Sequence, residues 1–349
     1  MTTNDPIDRL PRVRLAHLPT PLLKVGALDA RFGLDLWIKR DDATGGAEAG
    51  NKIRKLELLL GRAIAEGADT VLTCGGVQSN HARATALLCA RLGLSCVLFL
   101  RVAELAGHAA SPRVEGPVGL RRGGNVLLDH LAGAEVHPID AAQYRDRDQL
   151  MSDVARTLVT AGRKPFIVPE GGSNGLGALG YVLAMREIRE QLDLGLGGGK
   201  PFDFVVHACG SGGTAAGVAL GAARHGVAPR TIAMAVCDDA PTFDKRIRGI
   251  VDEARSLVTD LPGSAPFTVD DAARGPAYAV ASKEQRALIA DVARASGLIL
   301  DPVYTGKAMH GLALAVKRGD VPLSSRVLFL HTGGLPGLLA DPDAFGDLV

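Results

Sequence analysis

The chain lacks any excess of one sign of charge. Its 39 basic and 38 acidic side chains leave a formal net charge of +1. So even a balance gives no electrostatic footing for nucleic acid or an anionic membrane surface. Cysteine is scarce as well: Cys74, Cys89, Cys96, Cys209 and Cys237, with no C-x-x-C pair. An odd count without such pairs argues against a disulfide framework and against a zinc ribbon. Most of these thiols lie in apolar runs, where they read as small buried hydrophobes. No run of about 18 or more uncharged apolar residues occurs, so no membrane span is expected. The stretch from Met1 to Arg14 is charged and has no apolar signal-peptide core. A soluble, cytoplasmic protein is the expectation. Internal repeats and coiled-coil heptads are absent too.

What is present reads as an α/β protein. The 349 residues, 47 % hydrophobic and 22 % charged, suit two linked domains. Short β-branched runs alternate with helical patterns. Strands are expected at 35–39, 69–73, 96–100, 165–168, 204–208, 231–236 and 326–330. Helices are expected at 52–66, 80–92, 177–192, 214–225 and 282–296. This rhythm implies parallel sheets flanked by helices. Loop signals cluster at 107–124 and at 194–200, the latter reading as a flexible helix-to-strand connection.

Three glycine-rich segments follow expected strands: Cys74-Gly-Gly-Val-Gln-Ser-Asn80, Cys209-Gly-Ser-Gly-Gly-Thr214 and His331-Thr-Gly-Gly-Leu335. In open parallel sheets, ligands sit at the mouths of such loops. Gly210, Ser211, Gly212, Gly213 and Thr214 suit a phosphate, since glycines let backbone N–H groups approach an anion. A tight strand-to-helix turn with an N-cap is the plainer alternative. The segment matches neither the P-loop nor the dinucleotide pattern, so a single phosphate is the better fit. Lys52 opens a helix, where the dipole disfavours a cation. A functional lysine and a solvated basic face both account for it. Arg54 and Lys55 read as a solvated face, or as partners of Glu57.

Eight segments, in order from about residue 15 to 338, resemble one family. They are His17-Leu-Pro-Thr-Pro-Leu22, Trp37-Ile-Lys-Arg-Asp-Asp42, Gly50-Asn-Lys-Ile-Arg-Lys-Leu-Glu57 and Val77-Gln-Ser-Asn-His81. Pro169-Glu-Gly-Gly-Ser-Asn174 with Gly177-Ala-Leu-Gly-Tyr181, Gly210–Thr214, Leu300-Asp-Pro-Val-Tyr-Thr-Gly-Lys307 and His331-Thr-Gly-Gly334 complete the set. They resemble the pyridoxal 5′-phosphate (PLP) family of 1-aminocyclopropane-1-carboxylate (ACC) deaminase and D-cysteine desulfhydrase, which includes L-cysteate sulfo-lyase. The resemblance implies a two-domain fold-type II PLP enzyme, like the tryptophan synthase β-subunit. Residues 1–51 and 164–349 would form the large PLP-binding domain and 52–163 the small one. A homodimer is implied as well.

The resemblance also implies roles. Lys52 would carry PLP as its Schiff-base lysine, Asn80 would meet the cofactor's 3′-oxygen, and Gly210–Thr214 would hold its phosphate. Thr332 would meet the pyridine nitrogen. Ser79, Asn80, His81 and Gln78 would face the substrate, Ser79 also matching a residue described as a nucleophile. Tyr278 and Tyr304 would be the two active-site tyrosines. A helix N-cap is the structural alternative for Ser79, and a core aromatic for Tyr278. In this family ACC deaminases carry an acid directly after the second tyrosine, where this chain has Thr305. A carboxylate there would keep a ring nitrogen protonated better than a hydroxyl can. β-Elimination is therefore favoured over ring opening, with D-cysteine first, L-cysteate next and ACC after them. A PLP-binding homologue without turnover and a nucleotide-binding α/β protein are the readings from other classes. The chain departs from the family at Ala49 and Gly76, where glycine and alanine respectively are usual.

Overall fold

The computed structural model describes residues 5–102 and 123–346. Apart from residues 123 and 124, the loop expected at 107–124 lies outside them. Ten strands occur among the described residues. They are β1 (Leu22–Lys24), β2 (Asp35–Lys39), β3 (Thr70–Gly76), β4 (Ser95–Arg101) and β5 (Glu135–Ile139), then β6 (Pro165–Ile167), β7 (Phe204–Cys209), β8 (Arg230–Ala235), β9 (Phe267–Asp270) and β10 (Arg326–Leu330). The helices are α1 (Gly26–Phe32), α2 (Lys52–Ala65), α3 (Asn80–Leu92), α4 (Gly124–Leu131), α5 (Ala141–Arg145) and α6 (Arg147–Thr160). They continue with α7 (Gly175–Asp193), α8 (Gly213–His225), α9 (Ala240–Leu257), α10 (Lys283–Ser296), α11 (Thr305–Arg318) and α12 (Leu335–Leu339).

The strands form two sheets. A six-stranded sheet runs β1-β2-β10-β7-β8-β9, parallel except for the β1–β2 edge. A four-stranded, all-parallel sheet runs β5-β4-β3-β6. The second sheet includes Pro165–Ile167, so it continues past residue 163. Strands β3 and β7 are buried along their whole length, as near-continuous apolar runs in a helix-covered parallel sheet should be.

Helices cover both faces of each sheet. Leu28, Ile289, Val292, Met309 and Leu312 of α1, α10 and α11 pack with Leu36, Ile38, Phe204 and Phe329 on one face of the large sheet. On its other face Met185 and Ile188 of α7 and Val218 of α8 meet Val205, Leu328 and Leu330. In the small sheet, α2, α3 and α4 cover Val71, Leu98 and Leu100. Met151 of α6 and its neighbours cover Leu72, Cys74 and Phe99 from behind. Helix α2 also sends Leu58 toward Ala178, Leu179 and Val182 of α7, so it touches both sheet systems.

Four of the five cysteines are buried, Cys237 is half-buried, and all five are free. Among the described residues, no helix is long and apolar enough to cross a membrane. The 194–200 link is not the flexible connection expected. Leu196–Gly199 forms a 3₁₀ turn, and the Arg326 guanidinium binds the carbonyls of Gly197 and Lys200. Consecutive glycines there supply left-handed backbone for a bonded turn rather than slack.

Candidate active site

The loops after β3, β7 and β10 open onto one cavity. Lys52, Ser79, Asn80, His81, Gly210, Ser211, Gly212, Thr214, Tyr278, Tyr304 and Thr332 all line it. Two expected residues are placed otherwise. Gln78 turns its amide to Gly123 and Asn125, bracing the start of α4. The Gly213 amide donates to Ser173 Oγ at 3.2 Å.

Lys52 is the first residue of α2. Its Nζ donates to Asn51 Oδ1 at 3.2 Å and lies 5.9 Å from the centroid of the Tyr304 ring. Burial, with the Arg83 guanidinium adding to it, pulls the amine down to about 8. An amine so placed is nucleophilic near neutral pH. Asn51, which motif reading passed over, ties the site together. Its N–H donates to Thr332 O and its Nδ2 to Thr214 Oγ1, both at 3.1 Å.

The next two cations on α2 are not a solvated face, and neither pairs with Glu57. Arg54 is 3 % exposed and binds Asp41 and Glu187. Lys55 is 1 % exposed and donates to Gly171 O at 3.0 Å and Ser173 Oγ at 3.2 Å. Glu57 instead takes Arg12 and the N–H groups of Leu15 and Ala16. Burial, then the charge of Lys52, holds Lys55 well below the usual lysine range. Its place three residues after Lys52, on the same helix face, was the available signal.

The loop after β7 is built for an anion. Gly212 has φ +88°, left-handed backbone that side chains other than glycine avoid, and it precedes α8. At the start of α8, Gly213 N–H goes to Ser173 and Ala216 N–H to Gly212 O. The amides of Thr214 and Ala215 have no intrahelical acceptor, and both residues line the cavity. Ser211 Oγ lies 2.8 Å from Ser173 Oγ, which also meets the Lys55 ammonium.

The loop after β3 leads into α3 through Ser79, which does act as a cap. Its Oγ accepts from Ala82 N–H at 3.2 Å, and its carbonyl accepts from Arg83 N–H. That leaves the amides of Asn80 and His81 free at the helix start, a ready carboxylate site. The His81 ring suits a different partner. Thr73 Oγ1 donates to Val168 O at 2.8 Å, so it accepts from His81 Nε2–H at 2.9 Å. Nδ1 then keeps a lone pair, and it is buried without a partner among the described residues. Burial and the two lysines hold the ring neutral, well below the usual histidine range. The ring offers an acceptor, so a carboxylate would be met by the backbone instead.

Tyr278 and Tyr304 face each other across the cavity. Their hydroxyls are 2.6 Å apart and their rings meet edge to face at 6.1 Å. Burial above all raises both phenols, which stay protonated. Thr305 does not reach the cavity: its hydroxyl donates to Asp301 Oδ1 and accepts from Asp301 N–H. Glu170, also missed, lines the cavity and is held by Tyr144 at 2.5 Å and Arg147 at 3.2 Å.

A family model for pyridoxal-phosphate dependent enzymes matches residues 13–333. The chain belongs to this family. A mitochondrial bifunctional D-cysteine desulfhydrase/1-aminocyclopropane-1-carboxylate deaminase of Arabidopsis thaliana is 41 % identical to it, over 96 % of this chain and 81 % of that one. A D-cysteine desulfhydrase of Yersinia enterocolitica is 38 % identical over 97 % of this chain and 98 % of its own. The crystal structure of an ACC deaminase homologue superposes with a TM-score of 0.84 at 35 % identity, covering 99 % and 98 % of the two chains. The cofactor is therefore PLP, and the residues present fit it. A half-buried amine with a single hydrogen bond among the described residues faces a cradle of free amides, with the buried Lys55 amine close by.

Proposed function

We propose that this PLP-dependent enzyme is a lyase that eliminates the β-substituent of a small amino acid, D-cysteine being the substrate of choice. The products would be pyruvate, sulfide and ammonia. Lys52 would carry the cofactor, the amides of Thr214 and Ala215 with Ser211 would bind its phosphate, and Thr332 would meet its ring nitrogen. Bound PLP supplies the electron sink that acidifies the substrate Cα. The observation that carries the reading is the Tyr278–Tyr304 pair, with hydroxyls 2.6 Å apart beside Lys52.

The amides of Asn80 and His81 hold the substrate carboxylate at the positive end of α3. The Lys52 amine, pulled down to about 8, takes the proton from Cα. Tyr278, kept protonated by burial, gives its proton to the departing sulfur, and Tyr304 orients that hydroxyl. The taking up of the Thr305 hydroxyl by Asp301 supports elimination over ring opening, since no acid from that position meets the cofactor. L-Cysteate, with sulfite leaving, is the alternative within the same chemistry. A homodimer in the cytoplasm goes with the proposal on the strength of the family resemblance.

The purified protein should be yellow, and borohydride should fix the cofactor to the peptide containing Lys52. Lys52→Ala should abolish both the fixation and turnover. Pyruvate from D-cysteine, within a panel of D- and L-cysteine, L-cysteate and ACC, is the expected release. Release of 2-oxobutanoate from ACC alone would overturn the ranking.

A further inference from the structure

Lys307 lies in the first turn of α11, three residues after Tyr304, and is 0 % exposed. A helix start is the wrong end for a cation. No carboxylate lies within ion-pairing distance of it among the described residues. Its ammonium instead donates to three carbonyls: Val236 O at 3.1 Å, Arg274 O at 2.7 Å and Ala277 O at 2.8 Å. An ammonium has three N–H donors, and all three are used. Burial pulls the group down to about 8, with Cys237 and Asp301 acting the other way. A methionine or leucine would fill this space without that cost.

The three acceptors show what the charge accomplishes. Arg274 and Ala277 belong to the loop that carries Tyr278, and Val236 directly follows β8. Ala277 O also accepts from Val280 N–H, closing a tight turn whose tip is Tyr278 and Ala279. Ala279 has φ +61°, a backbone conformation alanine adopts only when its surroundings impose it. Gly275 passes so close that a Cβ there would lie 3.2 Å from Lys307 Nζ. One side chain thus joins the helix that begins next to Tyr304 to the loop that presents Tyr278.

We infer that Lys307 is a positioning residue: it clamps the 274–280 turn to the start of α11 and so sets the Tyr278 hydroxyl against Tyr304. The inference rests on the reading of Tyr278 as the proton donor to the leaving group. It predicts that losing Lys307 hurts most where the departing atom needs that proton.

The test uses holoenzyme carrying Lys307→Met, with Lys307→Gln as the milder variant should the first fail to fold. Amide hydrogen exchange in a peptide spanning 273–281 should quicken at least about tenfold, while that of Arg326–Leu330 stays as in the wild type. Unchanged exchange at 273–281 in a folded variant overturns the clamp. With D-cysteine, kcat should fall about 10- to 100-fold with KM within about threefold, the range for a misaligned general acid. With D-β-chloroalanine, whose chloride leaves unprotonated, the loss should stay within about threefold. Adding Tyr278→Phe to Lys307→Met should cost nothing more, because both remove one device. Equal losses on the two substrates, or additive losses, overturn the inference. Should the wild type turn over neither substrate, the elimination reading falls, and the exchange measurement still decides whether Lys307 holds the turn.

Discussion

Gly76 ends β3, and its hydrogen leaves room for Tyr278. A Cβ built there would lie 2.5 Å from Tyr278 Cε1, far inside contact distance. Gly76→Ala must therefore move either the β3 end or the ring, and the ring sits on a surface loop. The 2.6 Å contact with Tyr304 would be lost. We expect kcat for elimination to drop by about 10²-fold, the scale of a 1 Å misplacement at a reacting group. Visible absorbance of the bound cofactor should not change. Wild-type turnover in Gly76→Ala would mean that Tyr278 needs no exact seat. The same scale shows what motif reading can and cannot find. Lys52, Asn80, Tyr304 and Thr332 stand in recognisable strings, and all line the cavity. Arg54 and Lys55 stand in such a string too, yet both are buried rather than solvated. Helix α2 is buried on nearly every side, so its polar residues mark no solvent face. Periodicity presumes one wet side, and here that presumption fails.

Helices α3 and α4 meet through a mismatched pair. Asp129 of α4 is 0 % exposed, and neither carboxylate oxygen finds a partner among the described residues. Burial pushes it up to about 7 from an ordinary 3.8, although Arg83 of α3 pulls the other way. Arg83 is occupied elsewhere, with Asn80 and Asn125 Oδ1 and with Ala49 O. The folded protein therefore keeps the Asp129 proton up to about pH 7, while the unfolded chain releases it near 3.8. Stability from this group is complete below pH 3.8 and is lost as pH rises to 7. The loss is on the order of 4 kcal/mol above that point, at about 1.4 kcal/mol per pH step. Asp129→Asn cannot titrate, so it should be more stable than the wild type at pH 8, with the gain shrinking at pH 5. Urea unfolding at the two pH values measures this, and a gain independent of pH would refute it. Residue 129 lies in a helix that the hydrophobic pattern did not reveal, as do the short α1, α5 and α12. Elements of one or two turns are too short to establish a period, but the longer α6, α9 and α11 were not among the expected helices either. The longer α2, α3, α7, α8 and α10 did show a period, and Asn174 and Ser282 cap α7 and α10.

The two sheet systems meet at the α2–α7 seam, and a knot of buried charge fastens it. Arg54 of α2 grips Asp41 through Nε and Nη2 at 2.9 and 2.8 Å, and Glu187 of α7 through both Nη atoms at 3.0 Å. Lys39, at the end of β2, gives its three N–H donors to Glu187, Gln191 and Thr20 O. Tyr181 of α7 adds its hydroxyl to Asp41 Oδ2 at 2.6 Å. The alternation of strands and helices announced both sheets, but nothing in a linear pattern brings residues 39, 41, 54 and 187 together. Only the folded crossing does that. The Arg54 and Asp41 charges hold each other strongly ionised, Arg54 well above its usual range and Asp41 below its own. Arg54→Met would strand Asp41 and half of Glu187 in the interior, a loss of about 3–5 kcal/mol for a broken buried pair. Because Lys52 opens the same helix two residues earlier, the loss should reach the site as well. In a urea titration of holoenzyme, tryptophan fluorescence and the visible cofactor band should change together in the wild type. In Arg54→Met both should move together to lower urea. A midpoint that stays put would show the knot to be neutral. A cofactor band that moves while fluorescence does not would show that the seam holds the site but not the fold.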